Sequence, residues 1–405
     1  MRRFADRLIA LTRDTRGNLA IMFTIALIPI LLAVNFAMDY SQASRMRSDL
    51  QALADAVALA AVNKLPSEIG AQKAGSDVYN AGIAELRAGL LYDNLLIENQ
   101  SQPDLITHVT ISGQYKSASG MTFNLTNIDF VIKAQATIPL VRLEVAVAAD
   151  ATASMMGSKI IALRSALTKF TDTLMDAQSA TADVRLAIVP FSRAVTLPSY
   201  ASGWFAGPGT TNTYGKLCAT RRGGIYDSSD DNPTVKQFDG YSENASGCVD
   251  YVMQPLSSNR GALKALVSSL RAKGWGTANQ VASEWVLRAL SPKWASHWPT
   301  ASAPNAAGKA TKIAVLMTDG ENETGALIHD TEGDIALART CQKLKDEGIT
   351  VYAVTFKTPL AVRPIYQNCV SAPENLIEAS NDTQLIAAFE RIAEEATRRL
   401  VKLTN

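Results

Sequence analysis

Residues 143–150, LEVAVAAD, form a short and nearly continuous apolar run that ends in a carboxylate. Three later stretches repeat the pattern: VRLAIVPFS (184–192), KIAVLMTDG (312–320) and GITVYAVTF (348–356). Helical segments are expected between and after them, at about 159–176, 260–272, 278–290, 333–347 and 382–401. Buried strands that alternate with helices predict an α/β fold with a doubly wound, mostly parallel sheet. In such sheets, ligands bind at the carboxyl ends of the strands.

The composition limits the classes of function. The chain has 405 residues, of which 47% are hydrophobic and 19% are charged, and its formal net charge is +1. A chain of this composition buries a substantial core and is not disordered. Because a net charge near zero supplies no general field that attracts a polyanion, we expect no nucleic-acid partner.

Residues 19–38, LAIMFTIALIPILLAVNFAM, contain no ionisable side chain. A helix of this length spans about 30 Å, the thickness of the hydrocarbon layer. The sequence therefore predicts a transmembrane helix over 17–40, in contact with membrane lipid through 19–38. A cleaved signal peptide and a buried core helix are the alternatives.

The segment 1–16 is basic, with five arginines and two aspartates: Arg2, Arg3, Arg7, Arg13 and Arg16, and Asp6 and Asp14. Basic flanks stay in the cytoplasm. We therefore expect a single-pass protein with a cytoplasmic N-terminus and a translocated C-terminal domain.

Three further regions follow the anchor. Residues 41–64 are rich in alanine and predict a helical stalk, whose small side chains suit packing against another membrane-proximal helix. Residues 65–139 predict a small α+β region, mainly helical over 66–102 and strand-like over 108–139. Residues 140–405 hold the α/β domain.

The α/β domain contains an insertion of 67 positions, 193–259, which is too long for an ordinary loop. Cys218 and Cys248 lie within it, 30 positions apart, and Cys341 and Cys369 lie 28 positions apart further on. On an oxidising side of the membrane, four cysteines predict two disulfides, for which three pairings are possible. Disorder of the insertion and unpaired buried cysteines are the alternatives.

Oxygen-bearing side chains follow the predicted strands. Asp150, Thr152 and Ser154 come after the first, Asp319 comes after the third, and Thr277 lies in the glycine-rich loop between them. Oxygen ligands without Cys or His favour Mg²⁺ or Mn²⁺ over Zn²⁺. Alternatively, Asp150 and Ser154 cap the helix that starts near residue 158, and Asp319 belongs to a plain turn. Residues 321–323 are expected to be solvated.

The motifs DATAS (150–154), GWGT (274–277) and MTDGEN (317–322) resemble, in this order, the metal-ion-dependent adhesion site (MIDAS) of von Willebrand factor A domains. The usual first motif is D-x-S-x-S, and Thr152 keeps the hydroxyl of the serine that it replaces. The resemblance implies two layers of residues around a Mg²⁺ or Mn²⁺ ion, and a protein partner whose carboxylate completes the metal coordination. The implied residues are Asp150, Thr152, Ser154, Thr277 and Asp319.

A second resemblance covers the anchor. Residues 16–18, RGN, the apolar helix, and residues 49–60, DLQALADAVALA, are similar to the N-terminal region of TadE/TadG-like proteins of Flp (Tad) pilus assembly. TadG-like members combine this anchor with a von Willebrand A domain. Together the resemblances imply a non-enzymatic adhesion or scaffold component of the bacterial inner membrane, with its C-terminal domain in the periplasm or at the cell surface. Its partner is then another pilus assembly component or a surface receptor.

Two other functions fit parts of the sequence. A Mg²⁺-dependent phosphohydrolase would use Asp150 and Asp319, but such chemistry usually needs an acid–base carboxylate two residues after the first, where Thr152 stands. A pilin-like structural subunit would polymerise through the anchor and stalk. The large C-terminal domain disfavours such a shaft.

We predict that the mature protein keeps its N-terminal segment. Pilin-like precursors carry glutamate at the fifth residue after the cleavage glycine, whereas Met22 is the fifth residue after Gly17. Intact-mass spectrometry of the protein purified from membranes should therefore find residues 2–17. A mature chain that starts at Asn18 would contradict this prediction.

Overall fold

The computed structural model describes residues 18–101, 104–115, 128–206, 217–239, 248–274, 276–323 and 329–403. The chain divides into two compact units, Met1–Leu140 and Val141–Asn405. The basic segment 1–16 and Trp275 of the predicted glycine-rich loop lie outside the described residues.

The first unit begins with helix α1, Asn18–Val62, whose N-terminal half is apolar and exposed. Met22, Phe23 and Phe36 expose 68%, 67% and 67% of their surfaces. Among the described residues, α1 is the one helix long and apolar enough to cross a membrane, and its apolar stretch is almost wholly exposed. Exposed apolar side chains over this length suit contact with lipid.

The C-terminal half of α1 is part of a protein core. It packs against helix α2, Glu68–Leu86, and against two strands of a three-stranded antiparallel sheet. The sheet order is β1 (Leu90–Gln100), β2 (Leu105–Tyr115) and β3 (Ile128–Ile138). The alanines of the predicted stalk therefore pack within their own unit. The buried stripe of α1 consists of Leu50, Ala54, Val57, Ala58 and Ala61.

The prediction that residues 66–102 are mainly helical is wrong for their last third. Helix α2 ends at Leu86, and β1 pairs with β2, so that Leu95 lies opposite Ile111 and Ile97 lies opposite Val109. A short apolar run fits either a helix or a strand by its local pattern. Pairing with a partner strand decides between them.

The second unit contains a mixed eight-stranded sheet. Five strands are parallel, in the order β11 (Leu376–Ala379), β10 (Thr350–Phe356), β9 (Thr311–Thr318), β4 (Val141–Asp150) and β5 (Ala182–Phe191). The three strands of the insertion are antiparallel: β6 (Val195–Leu197), β7 (Leu217–Ala219) and β8 (Gln254–Ser257). The predicted parallel strands are thus present, with one additional parallel strand and an antiparallel edge.

Helices cover both faces of this sheet. Helices α3 (Ser158–Asp176), α4 (Arg260–Ser269) and α8 (Asp382–Leu403) contribute to one core, and α5 (Asn279–Leu290), α6 (Thr331–Asp346) and α7 (Arg363–Cys369) to the other. Successive residues of β4 alternate between the two cores: Val145 and Val147 face the first, and Ala146 and Ala148 face the second. The small side chains on the α5 side leave volume for the bulky aromatic residues packed there.

The described parts of the insertion are folded, so disorder is excluded for them. Trp204, Phe205 and Phe238 are buried in the same core as α5. The predicted pair of disulfides is confirmed, as Cys218–Cys248 within the insertion and Cys341–Cys369 between α6 and α7. Residues 207–216 and 240–247 of the insertion lie outside the described residues.

Helix α5 is buried along its whole length and carries an internal ion pair. Arg288 Nη2 lies 2.6 Å from Glu284 Oε2, and both side chains are 0% exposed. The guanidinium also lies 5.1 Å from the ring centroid of Phe238 in the insertion, and Glu284 Oε1 accepts a hydrogen bond from Ser228 N at 3.2 Å. Burial raises the pKa of Glu284. The pair thus joins the insertion to the helix.

We predict that Arg288→Met lowers the free energy of unfolding by about 3–5 kcal/mol, because it leaves Glu284 buried without its cation. The double variant with Glu284→Leu should recover most of this loss. Tryptophan fluorescence during urea unfolding is the measurement, since all five tryptophans lie in the second unit. As a control, Arg260→Met breaks an exposed pair with Asp176 and should lower the free energy of unfolding far less than Arg288→Met does, because water screens exposed charges. Equal losses for the two single variants would contradict the prediction.

Candidate metal site

The predicted carboxylates meet at one edge of the sheet. Asp150 ends β4 and Asp319 directly follows β9, and these two strands are parallel neighbours. The glycine-rich loop joins the same edge, since Lys273 N donates a hydrogen bond to Ala151 O at 2.8 Å. All three loops identified in the sequence therefore lie together at the carboxyl ends of the strands.

Four of the five predicted site residues form a continuous chain of polar contacts. Thr152 Oγ1 lies 2.6 Å from Asp150 Oδ1 and 2.7 Å from Ser154 Oγ. Ser154 Oγ lies 2.6 Å from Asp319 Oδ1. Asp150 is 0% exposed and Asp319 is 4% exposed. We call these four residues the oxygen chain.

The oxygen chain has fewer hydrogens than contacts. Each hydroxyl supplies one hydrogen, so Thr152 and Ser154 supply two, whereas the chain has three close oxygen–oxygen contacts. If both carboxylates are ionised, one contact brings two oxygens together without a hydrogen between them. A proton on a carboxylate, or a cation shared by the oxygens, offsets this repulsion.

The second oxygen of Asp150 has its own donors. Asp150 Oδ2 accepts a hydrogen bond from the Thr318 hydroxyl at 2.9 Å, and Oδ1 accepts one from Thr152 N at 3.0 Å. Burial, and then the negative charge of Asp319, raise the pKa of Asp150 to about 6, although the hydrogen bonds from Thr152 and Thr318 oppose the shift. Thr318 was missed in the sequence because it is the last residue of an apolar strand.

Thr277, the fifth predicted residue, lies on the glycine-rich loop and is 5% exposed. Its backbone exchanges two hydrogen bonds with Glu323, of 3.2 Å from Thr277 N and 2.9 Å from Glu323 N. These bonds attach its loop to the loop after β9. Among the described residues, no hydrogen bond joins the Thr277 hydroxyl to the oxygen chain.

Helix α3 begins next to the oxygen chain but is not capped by it. Its N-cap is Gly157, whose φ of 78° lies in a region that favours glycine, and no side chain caps the first turn. The alternative in which Asp150 and Ser154 cap this helix is therefore wrong.

Lys159, in the first turn of α3, is a member of the site that sequence reasoning missed. Its Nζ lies 2.6 Å from Asp319 Oδ2. The Lys159 side chain is 25% exposed, whereas the Asp319 side chain is 0% exposed. A lysine on an amphipathic helix is typical of a solvated face, so its spacing carries no signal of this contact.

The expectation that residues 321–323 are solvated is wrong for Asn322, which is 2% exposed. Its Oδ1 accepts a hydrogen bond from Asn279 N at 2.8 Å, and its Nδ2 donates one to Asp334 Oδ1 at 2.7 Å. Asn322 thus connects the loop after β9 to the N-termini of α5 and α6.

The chemistry of the oxygen chain fits a hard divalent cation. It contains two carboxylates and two hydroxyls, the oxygen ligands that suit Mg²⁺ or Mn²⁺. Within the described residues, no group of three or more His, Cys, Asp or Glu side chains could hold a metal. A cation at this edge would therefore depend on the hydroxyls of Thr152 and Ser154 as well as on the two carboxylates.

The anchor and stalk match a known family. Residues 17–64 match the model of a family described as putative Flp pilus-assembly TadE/G-like. This match covers α1 from its first residue, Asn18, to its last, Val62. No curated protein is detectably similar to the chain in sequence.

The solved structures similar to this chain include three pilus proteins. The pilus adhesin SpaC from Lactobacillus rhamnosus GG matches at 14% identity and a TM-score of 0.40, over 76% of this chain and 34% of SpaC. The vWF domain of the type V pili tip protein Mfa5 from Porphyromonas gingivalis matches at 11% and 0.40, over 64% of this chain and 97% of that domain. The adhesive tip pilin GBS104 from Group B Streptococcus agalactiae matches at 11% identity and a TM-score of 0.35, over 63% of this chain and 99% of the GBS104 chain. The chain thus spans about a third of the length of SpaC.

We predict that Asp150 destabilises the metal-free protein as pH rises. The pKa of Asp150 is about 6 in the folded protein, against the ordinary aspartate value of 3.8. The folded state therefore holds the proton more tightly, and stability falls between about pH 4 and pH 6 by up to on the order of 3 kcal/mol. In EDTA, Asp150→Asn should remove this dependence and be more stable than the wild type at pH 7.

Urea unfolding followed by tryptophan fluorescence at pH 4–8 measures the effect. Asp176→Asn, which neutralises an exposed carboxylate on α3, is the control and should keep the wild-type pH profile. The prediction would be contradicted if the free energies of unfolding of Asp150→Asn and the wild type differed by the same amount at every pH.

Proposed function

We propose that the protein is a membrane-anchored component of Tad (Flp) pilus assembly or adhesion that binds a protein partner through a divalent cation. The observation that carries this proposal is the oxygen chain from Asp150 to Asp319, whose three close contacts share two hydroxyl hydrogens. A cation held by these oxygens would replace repulsion with attraction, because metal–oxygen contacts need no hydrogen.

The fold supports a von Willebrand A-like assignment for the second unit. Five parallel strands with helices on both faces are the arrangement expected of a doubly wound sheet, to which the insertion adds antiparallel strands. The three MIDAS-like loops lie at the carboxyl edge, where such folds bind ligands.

The roles of the residues follow from their positions. The cation would be held by the oxygen chain, which consists of Asp150, Thr152, Ser154 and Asp319. Thr277 would approach the cation from the glycine-rich loop, which is held in position by the backbone hydrogen bonds between Thr277 and Glu323. A bound Mg²⁺ or Mn²⁺ would offer a coordination position to a carboxylate of the partner.

The site favours binding over phosphohydrolase chemistry. The Thr152 hydroxyl, two residues after Asp150, is engaged with the Asp150 carboxylate at 2.6 Å. A threonine in this place cannot exchange protons near neutral pH as a second carboxylate would. We therefore assign the protein no enzymatic activity.

The proposed topology places 1–16 in the cytoplasm and the second unit in the periplasm of a bacterial inner membrane. The basic segment before the apolar helix supports this orientation. The disulfides Cys218–Cys248 and Cys341–Cys369 support it independently, because disulfides form and persist in the periplasm.

We predict that partner capture depends on the metal and on the oxygen chain. Full-length protein in detergent should retain its partner from membrane extracts of the native bacterium in Mg²⁺. It should retain at least tenfold less in EDTA or with the pair Asp150→Ala and Asp319→Ala, as measured by quantitative mass spectrometry of the captured proteins. Circular dichroism verifies that the variant is folded.

The matched control is Asp172→Ala with Asp176→Ala, which removes one half-buried and one exposed carboxylate from neighbouring α3. This control should capture the partner as the wild type does. Equal capture under all conditions would contradict metal-dependent binding. Phosphatase turnover that disappears in the Asp150/Asp319 variant would support the hydrolase instead.

A further inference from the structure

The candidate metal site already contains a positive charge. Lys159 Nζ lies 2.6 Å from Asp319 Oδ2, and Ser154 Oγ lies 2.6 Å from the other oxygen of the same carboxylate. Both oxygens of Asp319 therefore have a close partner. The ammonium therefore binds an oxygen of Asp319 that a metal cation would also bind.

A divalent cation and this ammonium repel each other at Asp319. The Asp319 side chain is 0% exposed, so water screens charges around it weakly. Asp150 and Asp319 supply two negative charges at most, which one divalent cation neutralises. An ammonium that stayed in place would add a third positive charge to the same buried cluster.

Lys159 is able to leave the site without disturbing the oxygen chain. Among the described residues, Asp319 is the one polar partner of its Nζ. The Lys159 side chain is 25% exposed. Because its ammonium lies at the end of a flexible four-carbon stem, the ammonium can rotate away from Asp319 and into the solvent. The contacts among Asp150, Thr152 and Ser154 do not involve it.

We propose that the Lys159 ammonium is a built-in competitor of the divalent cation for Asp319, so that metal binds when the ammonium is displaced. The inference rests on the proposed metal-dependent function. The competition lowers the metal affinity below that of the oxygen chain alone, because only the molecules whose Lys159 ammonium has left Asp319 can bind the cation. In the absence of metal, the ammonium compensates one buried carboxylate.

The test is Mn²⁺ binding to the full-length protein in detergent, with free Mn²⁺ measured by electron paramagnetic resonance. Lys159→Met should bind Mn²⁺ at least tenfold more tightly than the wild type. Lys159→Arg, which keeps the positive charge, should stay near the wild type. Lys169→Met is the matched control, because Lys169 lies on the same helix and pairs with Glu390 at an exposed site.

A second measurement uses the wild-type protein and does not depend on the folding of a variant. Mn²⁺ should increase the rate of Lys159 acetylation by an amine-reactive ester several-fold, because displacement exposes the amine to the reagent. The rate at Lys169 should stay the same. Peptide mass spectrometry after timed labelling gives both rates.

The outcomes separate this inference from the proposed function. If Lys159→Met and the wild type bind Mn²⁺ equally and acetylation does not respond, competition is wrong while metal binding stands. If neither protein binds Mn²⁺, the metal-dependent function fails, and the competition fails with it.

Discussion

The parallel pairing of β4 with β9 is the constraint on which the candidate site depends. The register places Ala149 opposite Met317, so the two strands end at the same level and bring Asp150 and Asp319 to one buried edge. Two carboxylates in such a place repel each other, and burial raises the pKa of Asp150. The nearby polar groups offset this cost: hydroxyls from Thr152, Ser154 and Thr318, and the ammonium of Lys159.

The stability of this edge comes from the cores on either side of the sheet. On one face, alanines of the strands leave volume for Trp285 and its aromatic neighbours, including Trp204 and Trp294. Phe238 of the insertion completes this core, where its ring lies against Arg288 of the buried Glu284–Arg288 pair in α5. Helix α5 also starts at Asn279, whose N–H is bound by Asn322 of the site loop. The same helix therefore connects the insertion to the loops around the oxygen chain.

The two units combine an apolar helix with a domain that carries a charged edge. The exposed apolar side chains in the N-terminal half of α1 suit contact with lipid. The C-terminal half of α1 is buried against α2 and the three-stranded sheet. In the second unit, the parallel pairing of β4 with β9 holds Asp150 and Asp319 at one edge although their charges are alike.

The sequence by itself determined the apolar helix, the four main parallel strands, and the position of Asp150 and Asp319 at one edge. These features depend on local apolar patterns and on the rule that parallel strands share their carboxyl ends. The short strand β11 escaped prediction because its four residues, LIEA, are few and mostly half-exposed. Strand β1 was mistaken for helix because pairing with β2 overrode an ambiguous local pattern.

Only the tertiary structure decided which polar side chains meet at the site. Lys159 and Asn322 belong to residue types that are typical of solvated surfaces, and the contacts that bury or pair them come from Asp319, Asn279 and Asp334. The physical reason is that a strand's apolar pattern depends on burial along one short segment. A polar contact depends instead on the positions of two segments that only the packed sheet brings together.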